Sequence, residues 1–437
     1  MTWPVAVEQI LNTSIGMINM IMVSHVGLEA VAAIGLVDSL NMVFFNLFTA
    51  LATGIMVVVA QSMGRHDLQS AKDASAQAYS SSIAMAMLAS VPLLLCGRFI
   101  LELLFSGADT AVLEAAEIYL FASSLTYPFI AASQTGFGIV RARGDSRSPL
   151  ICSVVGNLGN IIVSAVLIFG MNMGIVGSAV GMVVARVLSA LLIAVPLWRL
   201  NDWHRLEGFT WHFTKDHMMP ILRISIPSGT DNLMFNGGKL VLATFLSGMG
   251  TVAMAANGII NSLFGFIIVP GNSISVISVP VVGYYYGAQE YKQARFYMLR
   301  LTFFSFITSA LVAAGMFFIL PSLVALYNDD PLVQKTAIDV INYLLLMLPL
   351  FWTCAFVTPA AIRATGDVAF LTAVSMVSMW TLRVAGGWII AVSMGYGVYG
   401  IWIAMTLDWI VRSVFYLHRA WSGKWLKLPN ARELLGT

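Results

Sequence analysis

The sequence predicts an all-α integral membrane protein, and three observations lead to that fold class. Of 437 residues, 59% are hydrophobic and only 10% are charged, whereas soluble globular domains carry about a quarter charged residues. Apolar runs of transmembrane length recur along the whole chain, and the second half of the sequence repeats the first. Together these observations predict twelve transmembrane helices in two six-helix bundles.

Each of the twelve apolar runs is long enough to cross a hydrocarbon layer about 30 Å thick. Backbone groups in lipid must find hydrogen-bond partners within their own segment, so runs of this length indicate helices and not strands. The predicted spans cover residues 3–24, 33–62, 76–96, 116–140, 149–170, 175–198, 224–247, 252–284, 299–321, 337–361, 368–392 and 397–417.

Basic residues of the predicted loops concentrate on one side of the membrane. When the loops are numbered alternately, only Arg98 and Lys335 fall on the opposite side. The positive-inside rule then makes both termini cytoplasmic, and we expect the chain to lie in a bacterial cytoplasmic (inner) membrane. The first span lacks a basic flank and a small-residue cleavage site, so we expect no cleavable signal peptide.

An internal repeat divides the chain into two halves. A shift of 223 residues aligns Leu28–Leu40 with Thr251–Leu263, with six of thirteen positions identical. With one residue of slip, RARGD at Arg141–Asp145 falls on RATGD at Arg363–Asp367. Because six spans is an even number, both halves enter the membrane from the same side, and a pseudo-two-fold axis along the membrane normal should relate them. Parallel repeats of this kind are a transporter architecture.

The repeat also predicts the domain organisation. Residues 1–198 form the N-terminal bundle, 199–223 a cytoplasmic linker, 224–418 the C-terminal bundle and 419–437 a cytoplasmic tail. Trp203, Trp211 and the charges around them indicate a helix in the linker that lies at the membrane interface.

Acidic residues within the spans are candidate functional residues, because charge at bilayer depth is costly. Glu8 and Asp231 are equivalent in the repeat, each four residues after the proline that opens its helix. Helical spacing places Glu8, Asn12 and Asn19 on one face, which offers oxygen ligands to a cation or a protonatable carboxyl group. Alternatively, the helix N-terminus simply favours an acid at this position.

A second group of candidates lies in the C-terminal half. Asn236 and Lys239 share a helix face, and Lys239 lies too deep to reach cytoplasmic water, so it needs a partner. Asp408 and Arg383 are candidates for a network with it. We expect protonation or cation binding at Asp231 or Asp408 to break this network and let the half rearrange; the alternative is a permanent structural ion pair.

The remaining charged residues of the spans have more ordinary interpretations. Asp38 could line a cavity or cap a polar contact between helices. Arg186 and Arg412 are expected to be snorkelling anchors near cytoplasmic helix ends. Asp145 and Asp367 follow glycines and could cap the next helix.

Several classes of function are disfavoured. A net charge of +2 argues against a nucleic-acid partner. Three cysteines without paired spacing and six histidines in or beside loops suggest no metal site beyond a possible Na⁺ site. The sequence has no P-loop, so ATP is not the expected energy source. We therefore expect no enzyme activity, no cofactor beyond H⁺ or Na⁺ as coupling ion, and a monomer in membrane lipid.

Motifs in both halves resemble those of the multidrug and toxic compound extrusion (MATE) transporters. They comprise Pro4 opening the first helix, VGLEAVAAIGL after it, IPSGTDNLMFNGGKLVLATFLSGMG, RARGD, RATGD, and GIWIAMTLDWIVR in the last helix. The resemblance implies a V-shaped pair of bundles, alternating access, and export of organic cations driven by an inward flow of Na⁺ or H⁺.

The chain departs from the family pattern where the family carries ion-coupling carboxylates. The family aspartate of the first helix falls on Asn19, and that of helix 5 falls on Ser164, with the family asparagine kept as Asn160. The acidic positions of helices 7 and 10 fall near Phe235 and Trp352. The roles of those carboxylates therefore cannot be transferred to this chain.

The primary hypothesis is a cation-coupled exporter of organic cations, in which methionines and aromatic rings line an adaptable cavity. The named aromatic candidates are Phe44, Phe45, Phe137, Phe264, Phe266, Trp352 and Phe356. A lipid or lipid-linked sugar flippase is the alternative, and a membrane-embedded enzyme or sensor is a remote one. An acidic or aromatic cavity lining favours cation export, whereas a wide cavity with a basic lining favours the flippase.

Overall fold

A computed structural model describes residues 2–105, 107, 109–201 and 214–426. Within those residues nearly all of the chain is helical and none of it forms a strand. The predicted all-α class is therefore confirmed.

The N-terminal half contains six long helices in chain order. They are α1 (Thr2–Ser24), α2 (Leu28–Gly64), α3 (Leu68–Leu104), α4 (Thr110–Ala142), α5 (Arg147–Ala165) and α6 (Gly174–Asn201). A π-helical segment, Val166–Gly170, extends α5. In this half α2 and α3 pack along α4, which also contacts α6, and α5 packs on α6.

The C-terminal half also consists of long helices, but more of them are interrupted by breaks or π-helical segments. Its helices are α7 (Lys215–Ser247), α8 (Thr251–Ile267), α9 (Val269–Gly287), α10 (Tyr291–Ala325), α11 (Pro331–Met347), α12 (Thr353–Arg363), α13 (Val368–Ser378) and α14 (Gly397–Trp421). The π-helical segment Leu348–Trp352 joins α11 to α12. Two more, Met379–Ala385 and Trp388–Ser393, follow α13.

These helices account for the twelve predicted spans. Nine described helices are long and apolar enough to cross a membrane, and the pair α8 and α9 adds a tenth that is bent by 48°. Pro270 lies in the first turn of α9, where a ring without an N–H produces such a break. With α4 and α7, each half has six spans.

The described residues form two compact units, which divide between Gly229 and Thr230. Helix replaces part of the predicted linker 199–223, because α6 continues to Asn201 and α7 begins at Lys215. The predicted interfacial helix with Trp203 and Trp211 lies outside the described residues. The predicted domain limits and the pseudo-two-fold axis stay predictions.

Part of the predicted tail is packed against the C-terminal unit. A 3₁₀ turn at Lys424–Leu426 follows α14, and the Trp425 side chain in it is fully buried. The Trp425 indole donates to the Ala420 carbonyl oxygen over 3.1 Å. The described end of the chain therefore belongs to the folded core.

The RARGD turn between α4 and α5 is closed by its aspartate, as predicted. The Asp145 carboxylate accepts hydrogen bonds from the backbone N–H groups of Arg147 at 2.8 Å and Ser148 at 3.1 Å. Partial burial alone would raise the pKa of Asp145, but these bonds and the Ser148 hydroxyl hold it below its usual range. The cap predicted for Asp367 is wrong, because that side chain pairs with Arg419 at 2.7 Å instead.

Repeat-equivalent glycines let the last helix of each half approach the π-helical segment before it. A Cβ atom on Gly400 would lie 2.5 Å from the Ala391 Cα atom, and one on Gly177 would lie 3.0 Å from the Leu167 Cβ atom. Such close helix contacts require a small residue. Gly400 thus fixes the spacing between α14 and Trp388–Ser393.

We expect Gly400→Ala to destabilise the C-terminal unit by about 1 to 3 kcal/mol, because backbone on the facing segment cannot move aside easily. The matched control is Gly35→Ala in α2, where the added methyl group meets nothing within 4 Å. The check is the apparent melting temperature of the purified protein in detergent. Equal melting temperatures for the two variants would contradict the close contact.

Candidate functional site

The Glu8 carboxylate in α1 is paired at the end of the bundle where α1 begins. It is 3% exposed and lies 2.6 Å from the Nη2 atom of Arg141, the basic residue of the last turn of α4. The Ser153 hydroxyl of α5 donates to the same carboxylate over 3.3 Å. One acid, one arginine and one serine thus join three helices of the N-terminal unit.

The C-terminal unit repeats this arrangement at the equivalent positions. The Asp231 carboxylate in α7 lies 3.7 Å from the Nη2 atom of Arg363 at the end of α12, and it accepts a hydrogen bond from Ser375 in α13. Asp231 follows Glu8 by 223 residues, and Arg363 and Ser375 follow Arg141 and Ser153 by 222. We call these two sets the acid–arginine–serine triads.

A buried ion cluster lies deeper in the C-terminal unit. The Asp408 side chain of α14 is fully buried, with its oxygens 2.9 Å from Arg383 Nη2 and 2.7 Å from Arg412 Nε. Arg412 Nε also donates to the Ser378 hydroxyl over 2.9 Å. The snorkelling role predicted for Arg412 is therefore wrong, because its side chain is 4% exposed and bonded inside the unit.

Ser375 connects the second triad to the ion cluster. Its hydroxyl donates to Asp231, and its carbonyl oxygen accepts from Arg412 Nη2 over 3.1 Å. Asp231, Arg383 and Asp408, which the sequence analysis assigned to one network, are thus linked through a continuous set of hydrogen bonds and ion pairs.

Lys239 does not join that network through a carboxylate. Its Nζ atom lies 4.9 Å from the centroid of the Phe235 ring, and it forms no ion pair within the described residues. The Asn236 side chain turns back to the carbonyl oxygen of Asn232 in its own helix. The predicted partner for Lys239 is therefore wrong within the described part of the chain.

The N-terminal unit contains an open cavity of about 390 Å³ lined by both polar and aromatic side chains. Its polar lining comprises Asn19, Asp38, Asn41, Ser123, Thr126, Asn160, Ser178 and Arg186. Asn41 donates to Asp38 over 3.4 Å and accepts from the Tyr127 hydroxyl over 2.9 Å. Asn160 accepts from Ser164 over 3.1 Å, whereas Asn12 lies outside this lining and bonds to Asn157.

The position of Arg186 in this cavity differs from the interfacial position predicted for it. It lies twelve residues after Gly174, the first residue of α6, which places it about 18 Å along the helix. That depth is the middle of a span and not its end, so the predicted snorkelling role is wrong. Asp38 lines the cavity, which was the first of its two interpretations.

The C-terminal unit contains a second open cavity, of about 500 Å³, with a different lining. Its aromatic walls are Phe235, Phe264, Trp352, Phe356, Trp402 and Trp409. Lys239 and Arg383 are its charged lining residues. Trp352 and Arg383 both lie in π-helical segments, which occur often at functional sites because they redirect side chains.

Some of the aromatic residues predicted to line a cavity do so, and others do not. Phe45 lines the N-terminal cavity, and Phe264, Trp352 and Phe356 line the C-terminal one. Phe44, Phe137 and Phe266 are not lining residues of either cavity. Among the described residues no group of three or more histidine, cysteine, aspartate or glutamate side chains could hold a metal ion.

A family model, MatE, matches residues 4–166 and again residues 227–389. Both limits are displaced by 223 residues, which is the spacing of the internal repeat. The chain is a member of the MatE family. Members of this family are transporters, so the chain is a membrane transporter and not an enzyme.

Related proteins match almost the whole chain. The uncharacterized transporter YisQ of Bacillus subtilis is 22% identical over 432 residues, covering 98% of this chain and 94% of YisQ. The probable multidrug resistance protein NorM of Thermotoga maritima is 23% identical over 439 residues, covering 97% and 91%. A crystal structure of MATE in the straight conformation matches with a TM-score of 0.89 at 20% identity, covering 100% of this chain and 96% of that one.

At positions where the family resemblance implies ion-coupling carboxylates, this chain has other residues, and three of these line the two cavities. Asn19 lines the N-terminal cavity, while Phe235 and Trp352 line the C-terminal one. Sequence reasoning missed Asn41, Tyr127 and Trp402 as lining residues. No signal marked them, because polar and aromatic residues at helical spacing are common on buried faces as well.

We expect Asp408→Asn to lower the free energy of unfolding by roughly 3 to 5 kcal/mol, because it leaves two buried arginines without their carboxylate. The matched control is Asp339→Asn, which changes an exposed aspartate of α11. The measurement is thermal unfolding in detergent. The double variant Asp408→Asn with Arg383→Gln should recover part of the loss, and unchanged unfolding in the single variant would show that the cluster contributes no stability.

Proposed function

We propose that the chain exports organic cations by alternating access in exchange for protons. We place it in the cytoplasmic membrane of a bacterium with both termini inside, acting as a monomer in membrane lipid. The bacterial relatives and the distribution of basic residues in the loops support that placement. The substrate class and the coupling ion rest on the argument that follows.

Asp38 carries the proposal. Among the candidate carboxylates, Glu8, Asp231 and Asp408 each lie within 4 Å of an arginine nitrogen. Asp38 forms no such ion pair within the described residues, and its one side-chain hydrogen bond there comes from Asn41 over 3.4 Å. A carboxylate without a fixed counter-ion can exchange one cation for another.

The charges of the N-terminal cavity suggest how exchange occurs. Within the described part of the chain, Asp38 and Arg186 are its two charged lining residues. These two charges cancel when both are ionised, so the cavity can accept an organic cation beside Asp38. Protonation of Asp38 leaves the Arg186 charge unbalanced, and like charges repel in a low-dielectric site. Proton binding and cation binding therefore exclude each other, which is the requirement for antiport.

Arg186 also favours H⁺ over Na⁺ as the coupling ion. Hard cations bind best where several oxygen ligands gather and no positive charge lies nearby. Asn19 and Asn160 supply oxygens to this cavity, but Arg186 lines it as well. A proton needs only the one carboxylate.

Aromatic rings would hold the organic part of the cation. Phe45, Phe48, Tyr119 and Tyr127 line the same cavity as Asp38. A ring face attracts a cation by about 0.5 to 2 kcal/mol, depending on desolvation. The two acid–arginine–serine triads and the Asp408 cluster are assigned a structural role, as permanent ion pairs that hold their helices together.

We expect Asp38→Asn to reduce pH-driven efflux of ethidium from proteoliposomes to background, because the neutral amide can neither release a proton nor balance Arg186. Asp38→Glu, which keeps the carboxylate, should retain efflux, and Asp339→Asn should leave it unchanged. A Na⁺ gradient imposed alone should drive little efflux. Full activity of Asp38→Asn would remove Asp38 from coupling, and efflux driven only by Na⁺ would replace the proton.

A lipid or lipid-linked sugar flippase is the second candidate, because Lys239 and Arg383 give the C-terminal cavity the basic lining expected for one. Its aromatic walls favour small molecules instead. The same proteoliposomes distinguish the two functions. Scrambling of a fluorescent anionic lipid, without ethidium efflux under either gradient, would favour the flippase.

A further inference from the structure

The C-terminal cavity carries an excess of positive charge. Among the described residues Lys239 and Arg383 line it, and no carboxylate does. Asp408 lies behind the wall, where it is shared by Arg383 and Arg412. Three cations and one carboxylate leave this region with a net charge of +2 at the depth of the membrane.

The described protein groups do not offset this charge. Arg383 is 1% exposed, and its Nε atom has no hydrogen-bond acceptor within the described residues. The buried Trp409 Nε1 atom, also at the cavity wall, likewise has none there. An uncompensated buried charge is costly, so the electrostatic potential of this region favours an anion in the adjoining cavity.

Phe235 is surrounded by the cations but cannot neutralise them. Lys239 Nζ and the Arg383 Cζ atom each lie 4.9 Å from the centroid of its ring, and the Arg412 Cζ atom lies 5.9 Å away. A ring attracts cations through its quadrupole and carries no net charge. The charge excess therefore persists around a position near which the family resemblance implies an acid.

The other walls of the cavity fit a flat apolar group. Phe264 stacks on Trp409 with centroids 5.8 Å apart and an interplanar angle of 9°, and Trp352 stacks on Phe356 at 4.8 Å and 21°. The Asn257 amide oxygen accepts from the Trp402 indole over 3.2 Å, which fixes a further ring. Rings held in this way can stack on an aromatic ligand with little loss of entropy.

We propose that this cavity binds a small aromatic anion, such as an aryl carboxylate or sulfonate. The anionic group lies beside the exposed Lys239 ammonium, with the Arg383 charge adding attraction from the wall, and the ring lies among the aromatic side chains. A volume of about 500 Å³ accommodates a ligand of two fused rings. The site is independent of Asp38 and goes beyond the proposed export of organic cations.

The test uses the purified full chain in detergent and three probes of equal size, namely 2-naphthoate, 2-naphthamide and 2-naphthylmethylammonium. We expect calorimetry to show naphthoate binding at least about tenfold more tightly than the other two, as for a hydrogen bond to a charged group. Its affinity should fall with increasing ionic strength. Equal affinities for the three probes, or tighter binding of the ammonium, would overturn the proposal.

Variants locate the site. Lys239→Gln should weaken naphthoate binding by about tenfold or more, Lys239→Arg should keep most of it, and Lys335→Gln removes a matched exposed lysine of α11 without effect. Melting temperatures check that each variant is folded. Unchanged binding in folded Lys239→Gln would contradict the site. Loss of fold in that variant would show that Lys239 is a structural residue held against Phe235, and would overturn its role as the anion ligand.

Two further measurements test the aromatic selectivity of the cavity and its independence from Asp38. Chloride or phosphate that displaces naphthoate at equal concentration would overturn the aromatic class and indicate a simple anion site. Asp38→Asn should leave naphthoate binding unchanged, so failure of the proposed cation exchange and failure of the anion site give different results.

Discussion

An ionised side chain inside a bundle of apolar helices needs an opposite charge or a full set of hydrogen bonds, because hydrocarbon offers neither. This constraint accounts for the positions of most charges at membrane depth in the chain. Glu8 pairs with Arg141, Asp231 pairs with Arg363, and Asp408 lies between two arginines. The pairs of Glu8 with Arg141, Asp231 with Arg363 and Asp408 with Arg383 each join two helical segments, whereas Asp408 and Arg412 lie in the same helix.

The two halves of the duplicated sequence share their paired charges at the triads but differ in the charges that line their cavities. The acid–arginine–serine triads occur in both units, and equivalent glycines let the last helix of each unit approach a π-helical segment. The cavities, in contrast, have diverged. One contains a carboxylate and an arginine, whereas the other contains two cations and aromatic walls. Duplication therefore maintained the scaffold while the two linings acquired different charge.

The acids at membrane depth could be identified from sequence because isolated charges in apolar runs are conspicuous. Their partners could not be identified in the same way. Arg412 was expected to be an interfacial anchor, yet it bonds to Asp408 and to Ser378, which lies on another helix. Lys239 was expected to find a carboxylate, yet it lies over Phe235. Helical periodicity gives the face on which a residue lies but not which helix packs against that face.

The sequence by itself determined the membrane-spanning helical class, the twelve spans, the repeat and the resemblance to a transporter family. Those features follow from hydropathy and self-similarity, which are properties of the chain read locally. Only the tertiary structure decided which charges are neutralised and which line a cavity. That outcome depends on bends and π-helical segments, such as those placing Trp352 and Arg383, which rotate the following residues relative to an ideal helix. A rotation of this kind is set by packing between helices, so no periodic pattern in the sequence records it.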